Sequence, residues 1–79
     1  MRRLCAFVSG NTIDIFSETT KGYLLSFDVD SFLCAKLVKD GIELISKNGV
    51  VVLFECTENE GEGLIAQIGS AVFRWKQDR

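Results

Sequence analysis

The chain has 79 residues, 47% of them hydrophobic, a net charge of −2, and neither histidine nor proline. No run approaches the ~20 apolar residues of a membrane-spanning helix, and the acidic balance argues against a dedicated nucleic-acid binder. Without histidine, a general base near neutral pH would have to be a strongly shifted carboxylate or lysine, or a thiolate, so the expectation is a non-enzymatic protein with no cofactor and no metal.

A chain this short makes one domain, residues 1–79, and buries only about 60% of its unfolded surface. Four dipeptides punctuate it: Gly10-Asn11, Asp40-Gly41, Asn48-Gly49 and Gly69-Ser70. Each lies between short runs rich in β-branched and aromatic residues, the pattern of tight hairpins. The spacing predicts a mainly β fold: an antiparallel meander or small barrel of about six to eight short strands. No exact repeat and no linker is evident.

Met1 to Val8 reads as basic and then apolar, but its apolar run is too short for a signal peptide and is taken as a first strand. A two-residue corner at Gly10-Asn11 sets Val8 opposite Ile13 and Ala6 opposite Ile15 on an apolar face. Phe7 then meets Asp14, and Ser9 meets Thr12, on the other. The next strand, Tyr23 to Val29, presents Tyr23, Leu25, Phe27 and Val29 together. Asp28 and Asp30 could share a face and a cation, but a strand-ending turn is the plainer reading. Asp30 to Lys39 alternates poorly and is ambiguous. One short helix near 31–39 is the alternative to a strand, with Asp30 or Ser31 as N-cap and Gly41 just beyond.

In the centre, two-residue corners at Asp40-Gly41 and Asn48-Gly49 predict a row of Leu37, Leu44 and Leu53 on one face. Ile45, Val52 and Phe54 then share the other face with Val38. A sheet apolar on both faces needs a cover on both, so Ile45, Val52 and Phe54 are the candidate protein contact. The partner is a second copy or one larger protein. The acidic stretch Glu55 to Glu62 reads as a solvated loop, with no ordered calcium-ligand spacing and no phosphate loop. Beyond it, a hairpin about Gly69-Ser70 would bury Leu64, Ala66, Ile68, Phe73 and Trp75. A helix is the rival, because Leu64, Ile65, Ile68, Val72 and Trp75 recur at helical spacing. The strand preference of Val72, Phe73 and Trp75 favours the hairpin.

The three cysteines, Cys5, Cys34 and Cys56, are too few and too scattered for a disulfide framework or a zinc site. They predict small buried hydrophobes in a reducing, cytoplasmic setting. Val72-Phe73-Arg74-Trp75-Lys76 interleaves aromatic and basic residues. The alternative function is therefore a small β-barrel holding single-stranded nucleic acid, with Arg74, Lys76 and Arg79 as its cations. Lys39-Asp40-Gly41-Ile42 and Leu64-Ile65-Ala66-Gln67 resemble short segments of the tryptophan-activated RNA-binding attenuation proteins, which form rings of small β subunits. No ligand residue aligns.

Overall fold

The computed structural model describes residues 2–78. Six strands precede one helix: β1 Leu4–Ser9, β2 Thr12–Ser17, β3 Gly22–Asp28, β4 Phe32–Val38, β5 Gly41–Ser46, β6 Val51–Glu55 and α1 Glu58–Gln77. The strands form two antiparallel meanders, β1-β2-β3 and β4-β5-β6, that remain separate sheets among the described residues. The mainly β antiparallel expectation holds as a meander and not as a barrel. Their inner faces share one core with α1, built on Ile13, Ile15, Ile42, Leu44, Leu64 and Ile68, each essentially inaccessible to solvent.

The first hairpin has the expected register, with Ala6 opposite Ile15, Phe7 opposite Asp14 and Val8 opposite Ile13. In β3 a bulge at Leu24 intervenes, because Ile15 pairs with Leu25 while Phe16 pairs with Tyr23. Leu25 and Phe27 therefore face the core, and Tyr23 turns to the opposite face. The Asp28–Asp30 turn is closed by a bond from the Asp30 N–H to Asp28 Oδ1 at 3.1 Å. The connection 29–31 is tied to both sheets: Val29 N–H donates to Asn11 O and Lys47 N–H donates to Ser31 O. The ring of Phe32 also meets Phe27 edge-on at 6.1 Å.

The structure decides one alternative left open by the sequence and corrects two expectations. Residues 31–39 form no helix; β4 occupies them and pairs along β5. The corner before β5 falls on Lys39-Asp40, with Gly41 inside the strand. A Cβ at Gly41 would overlap the carbonyl of Phe54, so this glycine serves close backbone approach to β6 and not the turn. The C-terminal hairpin expected about Gly69-Ser70 is α1 instead.

The helix begins where a loop was expected. Thr57 Oγ1 accepts the Glu60 N–H, and Glu60 returns a carboxylate oxygen to the Thr57 N–H, a capping box that satisfies two orphan donors. Glu58 and Glu60 in the first turn, with Arg74 and Lys76 in the last, oppose the helix dipole at both ends. Leu64, Ile68 and Val72 are buried, with Ile65 and Trp75 packed beside them. Each buried aliphatic side chain is worth about 1.5–3 kcal/mol. That stripe outweighs the roughly 1 kcal/mol that a glycine costs inside a helix. Phe73, assigned to the buried face of the hairpin, is 62% exposed. At Gly61 the helix presses closest to the second sheet; a Cβ there would lie 2.8 Å from Leu37 Cδ1 and 3.0 Å from Ile42 Cγ2. Along β1, Gln67 Oε1 accepts the Ala6 N–H at 2.8 Å and covers that sheet edge.

The two meanders are copies of one unit. Residues 4–17 and 33–46 align without a gap, identical at Leu4/Leu33, Cys5/Cys34, Ala6/Ala35, Ile13/Ile42 and Ser17/Ser46. Their registers coincide: Ala6–Ile15 matches Ala35–Leu44, and Val8–Ile13 matches Leu37–Ile42. The third strands supply matching core aromatics, since Ile13 faces Phe27 and Ile42 faces Phe54. Each repeat also buries its serine, whose Oγ accepts a backbone N–H from the following corner: Thr20 for Ser17 and Val50 for Ser46.

Two helix substitutions should move stability in opposite directions. A Cβ at Gly69 would meet nothing, so Gly69→Ala should stabilise by about 0.5–1 kcal/mol. Gly61→Ala should forfeit that gain and lose about 1 kcal/mol net, since the added methyl overpacks against Ile42. Urea unfolding followed by circular dichroism measures both.

Candidate protein-contact surface

Ile45, Val52 and Phe54 do not share a face. The corner between β5 and β6 holds three residues, Lys47, Asn48 and Gly49, closed by Ser46 N–H to Val50 O at 2.8 Å and Gly49 N–H to Ser46 O at 3.1 Å. Ser46 Oγ is also bonded to Asn48 Oδ1. One extra corner residue slips the register by one, so Leu44 stands opposite Val52 and Glu43 opposite Leu53. A one-residue slip turns every side chain of the strand over. Phe54 and Val52 thus point to the core with Ile42 and Leu44, whereas Ile45 points outward, and the row of Leu37, Leu44 and Leu53 does not form.

The side chains brought out in exchange are Val51 and Leu53, 50% and 51% exposed. With half-buried Ile45 and exposed Cys34 they make the outer face of the second sheet apolar. Lys36 and Glu43 form an ion pair on it at 3.6 Å. Val50, just before β6, is 54% exposed. Turn chemistry is the reason for the difference: Asn48-Gly49 is a strong two-residue signal, and Ser46 capping the corner from one residue earlier lengthens it.

The equivalent face of the first sheet is furnished differently. Tyr23 stacks edge-on against Phe16 at 5.3 Å and Phe7 at 6.2 Å. Asp14, buried between them and β3, accepts from Thr12 Oγ1 at 2.9 Å and Ser26 Oγ at 2.7 Å. Where one repeat places Phe7, Asp14 and Phe16, the other places Lys36, Glu43 and Ile45. The first outer face packs aromatic rings around a satisfied carboxylate, with Tyr23 66% exposed at its surface; the second is aliphatic around an ion pair.

A concavity of about 1040 Å³ lies between the start of β1 and the first turns of α1, lined by Leu4, Cys56 and Leu64. Its rim sets Arg2 and Arg3 against Glu18, Glu55 and Glu60, so neither sign of charge dominates. Arg2 is paired with Glu60 at 3.1 Å and lies over the Phe54 ring at 5.9 Å. The hydrogen bond from Arg2, and next the bond with the Thr57 backbone, hold the Glu60 carboxyl below its ordinary range. Burial first, and Glu60 second, push the Cys56 thiol up; burial does the same at Cys5, with Glu18 adding to it. All three cysteines are free. Cys5 and Cys56 are half-buried, whereas Cys34, expected inside, is exposed on the outer face of β4.

The cations of the nucleic-acid alternative lie elsewhere. Arg74 and Lys76 occupy the last turn of α1, where Asp78 N–H bonds to Arg74 O. Trp75 between them packs toward the core, and Arg79 lies outside the described residues. Among the described residues no helix is long and apolar enough to cross a membrane. Compared with known proteins, the chain matches no family model, no curated protein and no solved structure. Its two short resemblances to the attenuation proteins therefore go no further, and one of them, Leu64-Ile65-Ala66-Gln67, is helical.

Cys34 should react first with a thiol reagent, and Cys5 and Cys56 more slowly, in a timed labelling experiment read by mass spectrometry. The depressed Glu60 carboxyl contributes stability above its unfolded value and loses it as pH falls through its folded value. Glu60→Gln should therefore flatten the acid limb of the helix signal in circular dichroism, while Thr57→Ala should cost about 1 kcal/mol at neutral pH.

Proposed function

We propose that this protein is a non-enzymatic interaction module that self-associates through the open side of its second meander. The carrying observation is the contrast between equivalent faces of a repeated unit. One stacks Tyr23, Phe16 and Phe7 about a hydrogen-bonded aspartate, while the other exposes aliphatic Val51 and Leu53 beside Cys34 and a single ion pair. Contiguous apolar surface that a small body does not cover marks a protein contact. A second copy is the partner that the charges suit best. A two-fold operation that brings the two second meanders together can set the exposed Lys47 of one copy near Glu55 of the other and repeat the contact in reverse. The lack of histidine and the raised Cys5 and Cys56 thiols support the non-enzymatic part of the proposal.

Light scattering on the size-exclusion peak tests it. The wild type should run as a dimer whose population falls on dilution. Leu53→Lys, on the edge strand and pointing outward, should give a folded monomer with unchanged circular dichroism. A wild type that stays monomeric at high concentration refutes self-association.

A further inference from the structure

Resting on that proposed function, we infer that the second copy joins edge to edge, with β6 of one protomer pairing antiparallel to β6 of the other. The backbone hydrogen-bond pattern carries this. Val50 O accepts from Ser46, and Cys56 N–H donates to Asp40 O, so both point toward β5 and its preceding corner. In an antiparallel ladder such groups alternate along the strand. The N–H and C=O of Val51, Leu53 and Glu55 therefore point to the open edge. Glu55 obeys the rule, because its outward carbonyl accepts a bond from Arg2 Nη2 at 3.3 Å. Among the described residues no bond is recorded from that side to the backbone of Val51 or Leu53.

The other sheet edges are blunted. Gln67 of α1 bonds the edge of β1. The equivalent third strand, β3, carries its bulge at Leu24 and charged Lys21 and Asp28 at its ends, both devices that discourage strand pairing. The edge strand β4 carries a bulge at Leu33 and a charge at Lys36. By contrast the run Val50-Val51-Val52-Leu53-Phe54 carries no charge and no proline until Glu55 ends the strand, and β6 has no bulge against β5. Such a segment on an open edge is a template for an added strand.

Charge selects the register. When Val52 faces its own counterpart across the two-fold axis, Val51 of each protomer faces Leu53 of its partner. Four backbone hydrogen bonds form from Val51 and Leu53, and these side chains stay together on the outer face. The same register lays Glu55 beside the partner's Asn48-Gly49 corner, next to the exposed Lys47, and does so twice. No like charges are brought together, and the bond between Arg2 and Glu55 need not break.

Leu53→Pro removes an N–H that points away from β5, so it spares the internal ladder and blocks only the added strand. The expected result is a monomer with unchanged circular dichroism. In the wild type, amide exchange at Val51 and Leu53 should slow by about tenfold or more between dilute and concentrated samples. If Leu53→Pro stays dimeric while Leu53→Lys is monomeric, the copies meet through the sheet face: edge pairing is wrong and the self-association proposal survives. If the wild type is monomeric throughout, both fall. Should Leu53→Pro fail to fold, fast exchange at Val51 and Leu53 in a wild-type dimer overturns edge pairing by itself.

Discussion

Two three-stranded meanders cannot seal a shared interior by themselves, and the contact of Leu64, Ile68 and Val72 with their inner faces is what closes this one. Everything about α1 serves that contact. The Thr57–Glu60 capping box fixes where the helix starts. Gly61 lets it approach Leu37 and Ile42, and Gln67 satisfies the edge of β1 along which it runs. Burying three aliphatic side chains at about 1.5–3 kcal/mol each dominates the local costs of glycine and of strand-preferring residues in the helix.

The repeat explains how so short a chain assembles a core. One unit of hairpin plus third strand is used twice, and its inner positions are conservative between copies: Ala6 and Ala35, Ile13 and Ile42, Ile15 and Leu44, Phe27 and Phe54. Core positions tolerate little change because interiors are close-packed. The outer positions carry no such constraint, and there the copies diverge, one toward an aromatic cluster around a buried aspartate and the other toward an aliphatic surface. The divergence sits where a functional difference between the two halves would be written.

The first hairpin was legible to the residue, because Gly10-Asn11 makes a two-residue corner and the alternation on either side allows only one register. The second meander was legible as strands but not as a surface. At Gly41 and at Asn48-Gly49 the glycine signals a corner, yet its placement depends on the carbonyl of Phe54 and on the hydroxyl of Ser46, neither of which a local window contains. The repeat is faint in the sequence because its identities are few and only shared strand registers make them align. The C-terminal helix left a usable signal in Thr57 and Glu60, a cap three residues before its partner, hidden within what looked like an acidic loop.

By itself the sequence determined the class: antiparallel strands, a single small body, more apolar surface than that body hides, and no imidazole chemistry. Periodicity and turn residues are local, and they suffice for that. Tertiary structure decided which apolar side chains are left over. Phe54 and Val52 went inward and Val51 and Leu53 outward on the strength of one corner residue. Val72 and Trp75 became one stripe of a helix because a core lined by two sheets offered them more burial than a hairpin could. Register and helix docking are set by contacts between residues far apart in the chain, and the candidate contact surface is a product of both.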